Sequence, residues 1–265
     1  VKSGIDIACW DLLGQSSELP VCTLLGGRYG EDHILYRAIS QESPEKMASK
    51  VSGYRAEGYT RFQLKVGGDP DVDIERIKAV SNELQAGDKL IADANTGWLM
   101  HEAMRVVKGV QDIDVYIEQP CLTYEECLSI RRHTHHPFVL DENIDGLDIL
   151  LRGRADLAMD VVNIKINREG GLLPSKKAAA LAEANGIEGL CGSVIQGALI
   201  DAAAAHLFAS TPAIVYNESG KAPAWHDLDI VTGFRVEKGM VKVPEGPGLG
   251  VEVNEKILRK FLAKD

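Results

Sequence analysis

A chain of 265 residues with 29 Lys and Arg against 39 Asp and Glu carries a formal net charge of −10, which argues against a general nucleic-acid or anionic-membrane surface. Its 45% hydrophobic content can bury a large core, and no apolar stretch reaches the roughly 18 residues that a membrane helix needs. The five cysteines (Cys9, Cys22, Cys121, Cys127, Cys191) form no C-x-x-C pair and read as reduced, mostly buried thiols of a cytoplasmic protein.

The sequence opens inside a helical pattern, VKSGIDIACWDLLGQ, without an initiator Met, so residues are expected upstream. Residues 1–20 read as an amphipathic entry helix. From there, β-branched runs alternate with helical patterns. The strand candidates are 34–39, 61–66, 89–93, 114–118, 137–141, 160–165, 187–192 and 213–217. The clearest helix spans 70–84, where Val72, Ile77, Val80 and Leu84 share a face behind an Asp69 N-cap and Pro70. Others are expected at 99–109, 122–134, 144–152, 172–185 and 196–209. Eight strands with intervening helices favour an α/β barrel over an open doubly wound sheet, and no G-x-G-x-x-G follows a strand. Beyond the barrel, residues 233–253 read as a hairpin (FRVEKGMVKV) followed by PEGPGLGVEV. The last dozen residues read as a helix. This tail, residues 230–265, is expected to pack on a capping domain.

Three acidic residues close successive apolar runs: Asp93 in KLIADAN, Glu118 in DVYIEQP and Asp141 in FVLDEN. They recur at roughly the length of one βα unit, which places strand ends side by side on one face of a parallel barrel. Carboxylates brought that close repel unless a cation sits between them, and hard oxygen ligands suit Mg²⁺ or Mn²⁺. Lys65 (FQLKVGG) precedes the set by one repeat and Lys165 (VNIKIN) follows it by one. In a ring of eight, these lysines end strands four apart and face each other across the mouth. Two amines on opposite faces of a metal-bound carboxylic acid can remove an α-proton from one side and act on the other.

The ordered set GIDIACWDLLG, QLKVGGD, IADANTGW, YIEQP, LDEN, NIKINREGG and PEGPGLGVEV resembles the enolase superfamily, in particular its muconate-lactonizing branch. The resemblance covers essentially the whole chain. It implies a modified TIM barrel, (β/α)₇β, spanning residues 21–229, and an N-terminal α+β capping domain mostly absent from this sequence. It also implies that Asp93, Glu118 and Asp141 bind Mg²⁺, that Lys65 and Lys165 are the paired acid/base groups, and that Asn95 and Glu142 stand beside the metal. The branch usually carries K-x-K where this chain has Gln63-Leu64-Lys65, so a neutral donor replaces the lysine that helps bind the substrate carboxylate.

After the eighth strand, AWHDLDIVTG offers Trp225, Asp227 and Asp229, an Asp-x-Asp beside an indole that could bind a cationic amine or else form a capped loop. Together with Gln63 it resembles members acting on hydroxyproline and its betaine. The expected substrate is thus a small amino acid or carboxylate and the protein a homo-oligomer. The favoured reaction is dehydration of cis-3-hydroxy-L-proline. Epimerisation of proline derivatives, betaines or dipeptides, muconate cycloisomerisation, and a silent barrel serving in assembly are the alternatives. Elsewhere, His133, His135 and His136 read as solvent-exposed residues at a helix end, Cys191 and Ser193 as packing, and Gly170-Gly171 as a tight turn.

Overall fold

The computed structural model describes residues 1–30, 32–192, 197–212, 214–218 and 230–261. They form two units, one of Tyr36–Asn163 with Leu181–Leu190, the other of Val1–Leu35, Ile164–Ala180 and Cys191–Asp265.

In the first unit, short apolar runs pair in the order in which they occur. The strands are β1 (Asp32–Ile39), β2 (Arg61–Lys65), β3 (Lys89–Asp93), β4 (Tyr116–Glu118), β5 (Phe138–Leu140), β6 (Val161–Asn163) and β7 (Glu188–Cys191), each parallel to the next. Phe62, Leu64, Leu90, Ala92, Ile117, Val139, Leu140 and Val162 are all buried, as expected of parallel strands covered on both faces. Helices Pro70–Ser81, Met100–Gly109, Tyr124–Arg131 and Leu147–Asp156 match the expected helices, with shifted ends. Asp69 caps the first of these by accepting hydrogen bonds from the amides of Asp71 and Val72, and Thr123 caps the third. A further helix, Pro44–Ala56, was not among those expected, although Ser43 and Pro44 are a start signal.

Because helix Tyr124–Arg131 ends early, the three histidines lie beyond it. His133 and His135 are exposed, but His136 is 6% exposed, contrary to the sequence reading. It enters β5 next to Pro137, and burial pushes its imidazole below the usual range.

In the second unit, the entry helix (Lys2–Ser17) ends at a left-handed Glu18. The Asp11 carboxylate accepts from the Leu249 amide at 2.7 Å, and a side chain at Gly14 would meet the Gly248 backbone at 2.5 Å, so the PEGPGLG passage docks on this helix. The expected tail hairpin is present as Arg235–Glu237 against Met240–Lys242, whose second strand also pairs with Asp32–Ile34. Of the expected last helix, the structure describes one turn, Glu255–Leu258, capped by Asn254. A strand, β8 (Ile214–Glu218), also belongs to this unit.

His206 on helix Ala198–Ala209 is fully buried; its Nδ1 accepts from the Cys22 amide at 3.2 Å, which leaves Nε2 to donate to the Leu249 carbonyl at 3.1 Å. Burial pushes its pKa from 6.5 down to about 4. Between those values the unfolded chain binds the extra proton. The stability present above pH 6.5 is therefore lost as pH falls toward 4, by at most on the order of 3 kcal/mol. Denaturant unfolding of wild type and His206→Gln across this window should show the wild type's advantage shrinking as pH falls.

Candidate active site

The register of the parallel strands assembles the polar cluster. Lys65 on β2 pairs with Asp93 on β3, and Asp93 pairs with Glu118 on β4, so one row crosses three strand ends. Asp141 directly follows β5 and Asn163 closes β6. Asp93, Glu118 and Asp141 are all buried, and Lys65 Nζ lies 2.6 Å from Asp93 Oδ2. Both Glu118 oxygens accept amide hydrogen bonds at 2.8 Å, Oε2 from Gln63 and Oε1 from Asn163.

The electrostatics follow from this crowding. Burial first, then the charges of Asp93 and Asp141, push the Glu118 carboxyl well above the usual carboxylate range, against opposing contributions from Lys65 and the Asn163 amide. Glu142 is also raised, by burial and then by Asp141. A buried Glu118 flanked by the charges of Asp93 and Asp141 forms a site that favours a cation. Among the described residues no three acidic, His or Cys side chains stand ready-placed around an ion; the Lys65 ammonium and the two amides take the carboxylate oxygens instead. The donor set nevertheless fits a hard divalent ion in its chemistry: three carboxylates, no thiolate and no imidazole.

Loops leaving the strands are held tightly. Asn95, Thr96 and Gln119 have positive φ of 43°, 67° and 37°, a strained geometry often found at functional sites. Asn95 donates its amide to Asp93 Oδ1 at 2.9 Å, accepts from Lys65 Nζ at 3.3 Å and donates through Nδ2 to Glu142 at 3.0 Å. Gly67 must lack a side chain, since a Cβ there would meet the Ala94 carbonyl at 2.2 Å. Buried Asp73 accepts from the amides of Gly67 and Gly68 and from the Trp98 indole, fixing the turn just after Lys65.

Of the residues singled out in the sequence, the first unit brings together Gln63, Lys65, Asp93, Asn95, Glu118, Asp141 and Glu142. Lys165 lies in the other unit, where its carbonyl starts the short helix Ile166–Glu169. Gly170 and Gly171 then make the expected tight turn at φ of 93° and 136°, and the Asp6 carboxylate accepts from the Leu172 amide at 2.6 Å. Cys191 is buried, while Ser193, Trp225, Asp227 and Asp229 lie outside the described residues. Sequence reasoning missed Asn163, Gln119 and Asp73. Asn163 sits two residues before Lys165, and period-two alternation was the available signal for it.

The enolase C-terminal domain-like family matches this chain over residues 46–257. The chain belongs to the enolase superfamily. Its fold class is therefore the α/β, modified TIM-barrel type of the mandelate racemase/muconate lactonizing branch. Among superfamily relatives, a cis-3-hydroxy-L-proline dehydratase of Roseibium aggregatum is 52% identical over 251 residues, covering 94% of this chain and 68% of the relative. The N-succinyl Arg/Lys racemase of Bacillus cereus superposes with a TM-score of 0.92 at 31% identity, covering 99% and 72% of the two chains. A mandelate racemase/muconate lactonizing family structure from Roseovarius nubinhibens, complexed with magnesium, gives a TM-score of 0.92 at 30% identity, covering 97% and 73%. Like these relatives, this superfamily member is an enzyme of the lyase or isomerase type.

Gln119 connects two of the acidic strand ends. Its Oε1 accepts from the Asp141 amide at 3.0 Å, and its Nε2 donates to the Cys121 carbonyl at 3.1 Å and to Asn143. Replacing this buried amide with Leu leaves the Asp141 amide and the Cys121 carbonyl without it. Gln119→Leu should lose about 2–4 kcal/mol in denaturant unfolding, and an unchanged midpoint would show that the Asp141 turn does not depend on it.

Proposed function

We propose that this protein is a Mg²⁺-dependent enzyme that removes the proton α to a carboxylate, and that its reaction is dehydration of cis-3-hydroxy-L-proline to Δ¹-pyrroline-2-carboxylate. The observation that carries the chemistry is the row of Lys65 with buried Asp93 and Glu118, in which the lysine amine touches the Asp93 carboxylate. The substrate is supported by the 52% identity to the Roseibium dehydratase. Asp93, Glu118 and Asp141 would hold the ion, which when bound supplies positive charge beside the substrate carboxylate as negative charge gathers there.

The chain's own residues divide the work. Lys65, which here pairs with Asp93 as an ammonium, would give up that proton once the Asp93 oxygens hold the ion. It would then take the α-proton at Nζ, oriented by Asn95 and, through Asn95, by Glu142. The pair of electrons left on the α-carbon forms the Cα–Cβ double bond as the C3–O bond breaks. Lys165, acting protonated from the opposite face, gives its proton to the departing hydroxyl, which leaves as water. The resulting enamine tautomerises to the cyclic imine. Trp225, Asp227 and Asp229 are the candidates for receiving the ring ammonium by ion pairing and cation–π contact.

A second reading, 2-epimerisation of a proline derivative, is favoured by the racemase likeness at 30% identity over 264 residues and needs the same two lysines. Stereochemistry separates the two. In cis-3-hydroxy-L-proline the α-proton and the hydroxyl lie on opposite ring faces, which suits two opposed lysines. Incubation with the cis-3, trans-3 and trans-4 isomers in D₂O should give cyclic imine from cis-3 and far less from trans-3. Absence of imine from cis-3, together with clean deuteration and inversion at the α-carbon of another proline derivative, would replace the dehydratase reading with the epimerase.

A further inference from the structure

Gln63 stands on β2 two residues before Lys65, so the two side chains leave the same face of the strand. It is 2% exposed, and its Nε2 donates to Glu118 Oε2 at 2.8 Å. This contact turns the NH₂ end of the amide toward Glu118. The other end, Oε1, is a buried acceptor with no hydrogen-bond partner. Such an atom is costly to leave unpaired, and here it lies beside a carboxylate in an acidic cluster. The neighbouring cation does not satisfy it, since Lys65 Nζ bonds Asp93 and Asn95. A group that suits this position brings an N–H and positive charge together.

We propose that Gln63 is a specificity residue for the substrate nitrogen: its Oε1 accepts a hydrogen bond from the ring ammonium of a secondary amino acid. Gln63 thereby favours substrates that keep an N–H over quaternary betaines, whose nitrogen has no proton to give. The inference rests on the proline-type reading above and deepens it. It also reverses the polarity expected of position 63. In place of an N–H offered to the substrate carboxylate, Gln63 spends that N–H on Glu118 and offers the substrate an acceptor.

The test compares the Mg²⁺-loaded full-length enzyme and its Gln63→Met variant on cis-3-hydroxy-L-proline and its N,N-dimethyl betaine, scoring α-deuterium exchange, kcat and KM. Wild type should prefer the N–H substrate in kcat/KM. In Gln63→Met, KM for that substrate should rise roughly 10-fold or more, the scale of one hydrogen bond to a charged group, while KM for the betaine stays level. Gln63→Lys, which also removes the acceptor, should shift the ratio the same way, while its charge raises KM for both cationic substrates. An unchanged KM ratio in both variants overturns the proposal, and a drop in Mg²⁺ affinity without a change in that ratio would assign Oε1 to the ion instead. Exchange in wild type without preference for the N–H substrate also overturns it. No exchange from any proline derivative would instead bring down the underlying functional reading.

Discussion

Buried like charge is the constraint on which the rest of this site depends. Asp93, Glu118 and Asp141 are carried out of water at the ends of β3, β4 and β5, where burial and the charges of Asp93 and Asp141 raise the cost of ionising Glu118. Three polar neighbours in the first unit offset that cost. Lys65 supplies a positive charge to Asp93, while Gln63 and Asn163 each give Glu118 an amide proton. Such a cluster contributes little to stability and suits a site that concentrates positive charge.

The surrounding scaffold holds the cluster in place. Parallel register sets Lys65, Asp93 and Glu118 in one row, a precision that loops alone would not give. Beyond the strand ends, Asp73 pins the Gly67–Gly68 turn to the Trp98 indole, and Gln119 holds the amides that follow Leu140. The left-handed residues Asn95, Thr96 and Gln119 carry strain at these turns, which the buried hydrogen bonds offset.

Much of this was legible in the sequence for a simple reason: a βα unit has a nearly constant length, so chemistry placed at strand ends recurs at a nearly constant interval. The acids and Lys65 were found that way, and the apolar runs located β1 to β7. Contacts set by direction across strands were not legible. That Asn163 reaches Glu118, or that Gln63 turns its NH₂ inward, depends on register and rotamer, which periodicity does not encode. His136 misled because a helix-end histidine reads as solvent-facing, whereas the helix stops at Arg131 and the chain has already turned into β5. The helix Pro44–Ala56 buries only Met47 and Val51 among many polar residues, so its apolar stripe was too thin to stand out.

The claim that the three strand-end carboxylates form one divalent-cation site is tested most directly by calorimetric titration of Mg²⁺ into wild type and Glu118→Gln. The substitution keeps size and removes one ligand charge. Affinity and turnover should fall together by roughly 10-fold or more. Wild-type affinity and wild-type turnover in the variant would contradict the assignment.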